Sequence, residues 1–349
     1  MVEGRTPAAS GYKMPAEWER HRATWVSWPH NPETWPGAMA SIPSVWAELV
    51  AALTRGEAVH VLLAPGTSEE AVAAALAAAG AELAGVTLHG VKSNDAWLRD
   101  CGPTFVVRGQ GAGRETALVD WDYNAWGAKY PPWEDDNRIP RRLAEIIGAP
   151  LFHPGLVLEG GSIEVNGAGT LMTTESCLLN PNRNPHLDRD AIERALRDFL
   201  GVEHFVWLRQ GVVGDDTDGH IDDLSRFVSA TCVVTAVEDD ATDANYEPLR
   251  DNLRRLEKAV DQSGRAFDIL TIPMPRPVYW DGRRLPASYA NFYIANDTVV
   301  VPTFRCDRDS RAIAILESVF PTRRVVGIDA VELVRGLGAF HCVTQQQPT

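Results

Sequence analysis

The sequence predicts a mixed α/β protein built as a radial repeat, and three observations support this prediction. A unit of strand, strand, helix and strand recurs at intervals of roughly 60 to 70 residues, a period typical of repeat architectures. Five such units use the whole chain of 349 residues. Adjacent strand pairs are too frequent for a doubly wound sheet, in which single strands alternate with helices. Because no unit can bury its apolar face alone, we expect the five units to pack around a common axis.

The first predicted unit extends over residues 24–91. Its helices carry apolar residues at helical spacing, and its strands are short β-branched or aromatic runs. The predicted elements are a strand over Thr24–Trp28, a helix over Ser41–Arg55, a strand over Ala58–Ala64, a helix over Thr67–Gly80 and a strand over Val86–Val91.

The other four units each begin with a pair of strands. The predicted pairs are Thr104–Arg108 with Thr116–Trp121, Ile163–Val165 with Thr170–Thr174, Leu224–Ser229 with Cys232–Val237, and Phe292–Ala295 with Thr298–Pro302. The predicted helices are Arg141–Ile147, Asp188–Leu200, Tyr246–Gln262 and Ser310–Phe320. The predicted third strands are Leu156–Leu158, His204–Leu208, Phe267–Ile272 and Arg324–Ile328.

No Pro- or Ser-rich linker divides the chain, so residues 11–348 are expected to form one domain, preceded by a flexible segment over residues 1–10. The sequence shows no secretory signal and no apolar run of the roughly 18 to 20 residues that a membrane span requires. We therefore predict a cytoplasmic protein. The sequence leaves the oligomeric state open, and a homo-oligomer is one alternative.

Charge and cysteine usage exclude several classes of partner. The formal net charge of −14 argues against nucleic acid or an anionic membrane, both of which attract positive proteins, and suits a cationic small molecule. The five cysteines are scattered and odd in number, without the paired spacing of a disulfide framework or a zinc ribbon.

Each unit contributes one polar loop, and these loops hold the candidate functional residues. Asp100, Glu159, His220, Asn291 and Cys342 follow one another at separations of 59, 61, 71 and 51 positions. The near-regular spacing places them at equivalent points of successive units, so a closed ring would bring them together at one end. Such convergence is what a catalytic site requires.

Each candidate also has a structural interpretation. Cys342 follows a stretch of small residues, which suits a reactive thiol, but most free cysteines are small buried hydrophobic residues. Asp100 could form an ordinary ion pair with its neighbour Arg99. His220 stands between Asp218 and Asp222 and could be a metal ligand, although no second histidine has ligand spacing.

Together these residues describe nucleophilic attack on a planar cation. Asp100 and Asp222 could hold the two edges of a guanidinium through forked hydrogen bonds. Cys342 would attack the central carbon as a thiolate, while His220 would protonate the leaving amine and then activate water. Glu159 would hold the cation and orient His220. This chemistry requires no metal, nucleotide or organic cofactor.

Six motifs together resemble the agmatine deiminase family, which is related to the bacterial peptidylarginine deiminases. The resemblance covers residues from about 11 to 348 and implies the pentein fold, a five-bladed α/β propeller with a pseudo-fivefold axis. The motifs are Met14-Pro-Ala-Glu-Trp-Glu19, Trp97-Leu-Arg-Asp-Cys-Gly-Pro-Thr-Phe105, Glu159-Gly-Gly-Ser162, Leu178-Leu-Asn-Pro-Asn-Arg-Asn-Pro185, Thr217-Asp-Gly-His-Ile-Asp222 and His341-Cys-Val-Thr-Gln-Gln346.

The resemblance implies a role for each candidate residue. Cys342 becomes the nucleophile, His220 and Glu159 the proton-transfer pair, and Asp100 and Asp222 the guanidinium-binding carboxylates. Trp97, Asn291 and Asp218 complete the expected substrate-binding set. One departure concerns the cysteine loop, where Ala339 stands at the position at which the family carries asparagine.

The implied reaction is the hydrolysis of agmatine to N-carbamoylputrescine and ammonia through an amidino-cysteine intermediate. Agmatine is favoured over arginine because the loops that should meet are rich in Asp and Glu, with Arg99 as their only basic residue. The alternatives are a deiminase of arginine or peptidyl-arginine, an amidinotransferase, and a non-catalytic guanidinium-binding protein.

Overall fold

Five small β-sheets follow one another along the chain, and a separate two-stranded hairpin accompanies them. The computed structural model describes residues 5–349. Four of the sheets have three strands each, of which the first two are antiparallel and the third runs parallel to the second. The remaining sheet has four strands and contains both the first and the last strand of the described residues 5–349.

Eighteen strands lie within residues 5–349, numbered here in chain order. They are β1 (His21–Ser27), β2 (Ala58–Leu63), β3 (Val86–Gly90), β4 (Thr104–Arg108), β5 (Glu115–Val119), β6 (Leu151–Phe152), β7 (Glu164–Val165), β8 (Thr170–Thr174), β9 (His204–Leu208), β10 (Ser225–Phe227), β11 (Cys232–Val237), β12 (Asp268–Pro273), β13 (Tyr279–Trp280), β14 (Arg283–Arg284), β15 (Tyr293–Ile294), β16 (Thr298–Thr303), β17 (Arg324–Asp329) and β18 (Thr344–Pro348).

Within residues 5–349, six longer helices connect the strands, and short helical turns occur between them. The helices are Ile42–Leu53, Glu69–Ala78, Ile139–Ile147, Arg189–Leu200, Tyr246–Leu256 and Asp309–Val319, and the short turns are Leu98–Cys101, Ala125–Ala128 and Glu175–Leu178.

The helix Arg189–Leu200 shows how the sequence specifies these elements. Asp188 caps its first turn by accepting a hydrogen bond from the backbone N–H of Ala191 at 2.8 Å, as the sequence predicts. Ile192, Leu196 and Leu200 lie on one face and are buried. Gly201 ends the helix with a φ of 65°, a conformation that glycine adopts without steric cost.

The C-terminal strand β18 closes the ring of sheets. It pairs antiparallel with β1, so that Gln345 lies opposite Trp25 and Thr344 lies opposite Val26. Neighbouring sheets contact one another in cyclic order: β18 contacts β4, β7 contacts β10, and the helix Ile42–Leu53 packs on β16 and β17. The predicted radial α/β fold of five units is thereby confirmed.

Several element predictions are wrong in detail. The third strand of the second unit is β6 and not Leu156–Leu158, where Val157 makes only a single bridge with Asp122. The helix predicted over Tyr246–Gln262 ends at Leu256, since Val260 turns to pair with Ala266. The hairpin β13–β14 and the strand β18 have no counterpart in the prediction.

The N-terminal segment that was expected to be flexible is partly described. Residues 1–4 of this segment lie outside the described residues. Within residues 5–10, Ala8–Ser10 form a turn of 3-10 helix, Pro7 is buried, and this turn packs on the helix Arg189–Leu200. Over residues 5–349, no helix combines the length and the apolar character that a membrane crossing needs.

Candidate active site

The five candidate residues lie at the same end of the ring. Each precedes the first strand of its unit: Asp100 precedes β4, Glu159 precedes β7, His220 precedes β10, Asn291 precedes β15 and Cys342 precedes β18. Because these strands occupy equivalent positions in successive sheets, the loops that enter them meet. The structure therefore brings together the residues that the sequence spacing selects.

Gly161 lies at the point where three of the polar side chains meet. A β-carbon at this position would lie 2.6 Å from Nδ1 of His220, 2.8 Å from Oδ1 of Asp100 and 3.0 Å from Oδ2 of Asp222. The backbone N–H of Gly161 also donates to Oδ1 of Asp100 at 2.9 Å. Glycine is needed here because the backbone itself forms part of the wall between these groups.

Cys342 is a buried thiol held by one donor and faced by carboxylates. Nδ2 of Asn291 donates to its Sγ at 3.0 Å, and Oδ2 of Asp222 lies 3.6 Å from the same sulfur. Burial raises the pKa of the Cys342 thiol well above its ordinary value, and Asp222, Asp223 and Asp100 raise it further. Both effects favour the protonated thiol over the thiolate.

His220 is buried between two carboxylates without bonding to either. Its Nδ1 lies 3.7 Å from Oδ1 of Asp100, and its Nε2 lies 3.9 Å from Oε2 of Glu159. Neither ring nitrogen has a hydrogen-bond partner among the described residues. Burial works to lower the pKa of His220, but Asp100, Cys177 and Glu159 together raise it well above the ordinary value. The imidazole is thus set to act as a proton donor.

Glu159 is ionised because an arginine lies beside it. Nε of Arg183 donates to its Oε1 at 2.7 Å, while its Oε2 has no partner within residues 5–349. Burial acts to raise the pKa of Glu159, but Arg183 and His220 outweigh this effect and lower it. Sequence reasoning did not assign Arg183 a role, although Arg183 lies in one of the quoted motifs.

The two carboxylates expected to bind the guanidinium have opposite pKa shifts. Burial raises the pKa of Asp100 to about 6, with His220 opposing this shift and Asp222 and Glu159 adding to it. Its Oδ2 accepts a hydrogen bond from Nε1 of Trp126 at 2.9 Å. Burial acts to raise the pKa of Asp222, but His341, His220 and Arg226 together outweigh this effect and lower it.

His341 links the site to a buried network of charges. Its Nδ1 lies 2.7 Å from Oδ2 of Asp222, and its Nε2 lies 2.8 Å from Oε2 of Glu17. Glu17 in turn accepts a hydrogen bond from Nη2 of Arg226 at 2.8 Å. Sequence reasoning assigned no role to these three residues, of which His341 and Glu17 lie in the quoted motifs.

A cavity of about 650 Å³ leads to this cluster. Trp97, Asp100 and Cys342, all predicted site residues, line its wall. The loop before Cys342 packs against Trp97, where a β-carbon on Gly338 would lie 2.5 Å from the indole and 3.1 Å from the β-carbon of Cys342. The small residues before the cysteine therefore allow the backbone to approach Trp97 closely.

Two predicted substrate-binding residues, Asn291 and Asp218, do not line the cavity. Asn291 is fully buried behind Cys342, where its Oδ1 accepts the backbone N–H of His341 at 3.0 Å. Asp218 forms ion pairs with Arg183 and with Lys129, the latter at 2.9 Å. The geometry thus places Asn291 against the thiol and Asp218 beside the arginine that holds Glu159.

The basic residues of the cavity differ from those expected. Arg99 does not line the cavity wall but lies in the interior, where Nη1 donates to Oε1 of Gln346 at 2.8 Å. Lys129 and Arg335 line the cavity instead, and Arg335 pairs with Glu332 at 2.9 Å. Acidic residues still outnumber these two basic residues on the wall, namely Glu33, Asp95, Asp100, Asp136 and Asp216.

The fold and most of the length of the chain are shared with known proteins. Residues 13–348 match the family described as Porphyromonas-type peptidyl-arginine deiminase. The chain is 40% identical to the agmatine deiminase of Pseudomonas aeruginosa strain LESB58 over 366 aligned positions, which cover 98% of this chain and 97% of that protein.

Solved structures of agmatine deiminases have the same fold as this protein. The agmatine deiminase of Enterococcus faecalis superimposes with a TM-score of 0.93 at 32% identity, covering 100% of this chain and 99% of that one. A C. jejuni agmatine deiminase in which a cysteine is replaced by serine, solved with substrate bound, gives a TM-score of 0.86 at 30% identity and covers 97% and 96% of the two chains. An amidinotransferase from Microseira wollei, at 14% identity and a TM-score of 0.52, shares the fold alone.

These observations define the protein as an α/β-propeller enzyme of the guanidine-modifying type. The chain belongs to the Porphyromonas-type peptidyl-arginine deiminase family.

Proposed function

We propose that this protein is an agmatine deiminase, which hydrolyses agmatine to N-carbamoylputrescine and ammonia. Its relatives at 38–40% identity over nearly the whole chain carry this name. The observation that carries the proposal is a group of buried polar atoms without partners among the described residues, beside the thiol of Cys342. These atoms are both ring nitrogens of His220, Oε2 of Glu159 and Oδ1 of Asp222.

A guanidinium is suited to satisfy this set of atoms. It is planar and cationic, and its N–H groups point outward in fixed directions that match carboxylate oxygens. In the proposed complex, Asp100 and Asp222 accept hydrogen bonds from opposite edges of the cation, while Glu159 accepts from a third direction. The central carbon then faces Sγ of Cys342.

Binding of the cation also activates the nucleophile. The carboxylates that raise the pKa of Cys342 in the free protein are neutralised by the guanidinium, and an adjacent positive charge favours the thiolate. The substrate thereby removes the electrostatic obstacle to its own attack. The proton of the Cys342 thiol leaves to solvent through the cavity that Cys342 lines, so no separate base needs to sit against the sulfur.

In the first step, the thiolate of Cys342 attacks the guanidinium carbon and forms a carbon–sulfur bond. His220, whose pKa is raised, gives its proton to a terminal amino group, and the carbon–nitrogen bond breaks to release ammonia. The product of this step is an amidino-cysteine, in which the carbon keeps one amino group and the alkylamino group.

In the second step, neutral His220 takes a proton from water, and the resulting hydroxide attacks the same carbon. The carbon–sulfur bond then breaks, the thiolate of Cys342 leaves, and the ureido product forms. Glu159 stabilises the imidazolium in both steps, because Arg183 keeps its carboxylate ionised.

The charge of the cavity favours agmatine over arginine. Lys129 and Arg335 are each paired with an acidic neighbour, so neither is free to form a forked contact with the carboxylate of arginine. The ammonium of agmatine instead meets a wall on which acidic residues are in the majority. An unpaired anion among carboxylates would be costly to desolvate.

A panel of guanidines scored by ammonia release tests this assignment. We expect agmatine to have a kcat/KM at least roughly tenfold above that of arginine at neutral pH, equivalent to about 1.4 kcal/mol. Arg335→Gln serves as a matched probe, because it should lower arginine turnover further if Arg335 contributes to binding. Faster hydrolysis of arginine or of a peptidyl-arginine ester would overturn the choice of substrate while leaving the deiminase reaction intact.

The same assay separates the two other activities predicted from the sequence. An amidinotransferase would release no ammonia in the absence of an acceptor amine. A non-catalytic guanidinium-binding protein would show no turnover, and a haloacetamidine would fail to alkylate Cys342. The predicted cytoplasmic location and a homo-oligomeric state stay predictions.

A further inference from the structure

Behind the wall of the cavity lies a group of three different metal-binding side chains. Ligand atoms of Glu159, Cys177 and His220 all lie within 4.8 Å of one another, and all three residues are buried. Cys177 lies in the short turn Glu175–Leu178 that follows β8. The proposed reaction uses His220 and Glu159 but gives Cys177 no role.

Two features show that the group could accept an ion. Oε2 of Glu159 and both nitrogens of His220 have no hydrogen-bond partner in the part of the chain that the structure describes. The sulfur, nitrogen and oxygen donors match the ligand types that zinc takes, in a three-ligand arrangement that leaves a fourth position open. A lone cysteine would not suffice, but two further buried ligands accompany this one.

To bind zinc, the ligand atoms of Glu159, Cys177 and His220 must move closer together. Zinc bonds of about 2.0–2.3 Å place tetrahedral ligands about 3.3–3.7 Å from one another. Nε2 of His220 and Oε2 of Glu159 are already 3.9 Å apart. Because the ligand atoms lie within 4.8 Å of one another, rotations of the Cys177 and Glu159 side chains that move these atoms by about 1 Å would complete the geometry, and Arg183 would remain on the other oxygen of Glu159.

The surrounding charge and the access route are consistent with a cation. Asp100 lines the cavity and lies 3.7 Å from Nδ1 of His220, so the group is immediately behind the wall. Asp100 and Asp222 add negative potential on the cavity side. An ion that enters the cavity therefore meets carboxylates before it meets the imidazole.

We propose that Glu159, Cys177 and His220 form an inhibitory site for Zn²⁺ or a similar thiophilic divalent cation. The bound ion would occupy a nitrogen of His220 and displace its proton, so the imidazole could neither protonate the leaving amine nor activate water. The thiol of Cys177 would lose its proton to solvent on binding, since the thiolate is the metal ligand. Turnover itself still requires no metal.

The proposal rests on the proposed function because it shares Glu159 and His220 with it. Metal binding can be measured without an activity assay, so a failure of this proposal is distinguishable from a failure of the proposed function. Cys342→Ala removes the other thiol of the site and should be titrated with Co²⁺. We expect the visible bands of tetrahedral Co²⁺ together with a sulfur-to-metal charge-transfer band. The double variant Cys177→Ser/Cys342→Ala should lose the charge-transfer band, and its persistence would overturn the proposal.

Inhibition of the active protein gives the second test. Zinc sulfate should inhibit agmatine hydrolysis reversibly, magnesium sulfate should not, and a chelator should restore the rate. Cys177→Ser and Cys177→Ala should raise the zinc concentration that gives half inhibition by at least roughly tenfold, the scale of losing a metal-site interaction. Cys232→Ala, in the unrelated strand β11, is the matched control and should behave like the unaltered protein. Equal inhibition of the Cys177 variants and the unaltered protein would place the ion elsewhere and overturn the proposal.

Discussion

At the scale of single residues, the thiol of Cys342 is controlled by its acidic neighbours. Burial alone disfavours a thiolate, and three carboxylates within the site disfavour it further. Most reactive cysteines have the opposite surroundings, with a cation or a helix N-terminus beside the sulfur. Here the substrate supplies the positive charge, so reactivity and recognition are coupled.

Replacement of Cys342 tests the nucleophile directly. We expect Cys342→Ala to abolish ammonia release while shifting thermal unfolding by only about a degree or two, because the change removes one small side chain from a loop. Calorimetry and a coupled ammonia assay measure the two effects. Cys101→Ala, Cys232→Ala and Cys306→Ala are controls that should retain most activity, and undiminished turnover in Cys342→Ala would refute the mechanism.

The carboxylates of Asp100 and Asp222 should dominate substrate binding. Removing one partner of a buried charge pair costs about 2 to 5 kcal/mol, since the other charge remains without compensation. Asp100→Asn and Asp222→Asn should therefore each lower kcat/KM for agmatine by roughly thirty-fold to several thousand-fold. The exposed Asp239→Asn is the matched control. Losses below about threefold in both variants would mean that other groups hold the guanidinium.

Among the elements, the turn Ala125–Ala128 has a strained backbone and lies at the wall of the active-site cavity. All four residues have positive φ, with values of 51° at Ala125, 55° at Trp126, 91° at Gly127 and 63° at Ala128. Such conformations are unfavourable for residues with a β-carbon and persist where the surrounding structure enforces them. The strained turn brings Nε1 of Trp126 to Asp100 at 2.9 Å.

The hydrogen bond from the indole N–H of Trp126 to Asp100 should determine the pH below which kcat/KM falls. Asp100 binds substrate as a carboxylate, and its pKa of about 6 in the free protein means that kcat/KM falls as the pH decreases through that value. A donor to the carboxylate favours the charged form, so Trp126→Phe should raise the pKa of Asp100 and shift the limb to higher pH.

The loss expected for Trp126→Phe at pH 7 is roughly tenfold or more, the scale of a hydrogen bond to a charged group. Profiles of kcat/KM between pH 5 and 9 measure both the loss and the shift. Trp133→Phe, a cavity tryptophan that makes no contact with Asp100 among the hydrogen bonds described, is the matched control. A reduced rate with an unmoved acid limb would show that Trp126 acts only through packing.

At the scale of the whole molecule, closure of the ring depends on a polar strand. Residues Thr344–Pro348 are all buried, and two of their side chains accept hydrogen bonds from other segments of the chain. Oε1 of Gln346 accepts from Nη1 of Arg99 at 2.8 Å, and Oε1 of Gln347 accepts from Nε1 of Trp25 at 2.8 Å. The strand thus satisfies polar groups that would otherwise be buried without partners.

Truncation after Val343 should therefore disrupt the whole fold although it retains every proposed catalytic residue. It removes the pairing of β18 with β1, and each buried polar group left unpaired costs about 1 to 3 kcal/mol. The sum approaches the total stability of a domain, about 5 to 15 kcal/mol. We expect loss of a cooperative thermal transition, measured by circular dichroism, whereas removal of Thr349 alone should leave it intact. Cooperative unfolding of the longer truncation would argue against residues 11–348 as one closed domain.

The repeat and the set of loops that form the site can both be predicted from the amino-acid sequence. Short β-branched apolar runs mark strands such as β4 and β11 to the residue, because strands that are buried on both faces carry continuous apolar sequence. The near-equal spacing of Asp100, Glu159, His220, Asn291 and Cys342 indicates convergence, since it follows directly from the period of the units. The apolar pattern of each element and the spacing of the polar loops are local or repeated features of the sequence, so both can be recognised before the fold is known.

Which buried polar groups form hydrogen bonds or ion pairs with one another can be seen only in the folded protein. The strand β18 carries no apolar alternation, and it is recognisable as a strand only when β1 lies beside it. Likewise, Trp126, Arg183 and His341 act through partners that are distant in sequence, at Asp100, Glu159 and Asp222. The physical reason is that burial of a polar side chain is favourable only once its partner is in place. Sequence reports which side chains are present, whereas the pairing that sets their charge exists only in the folded ring.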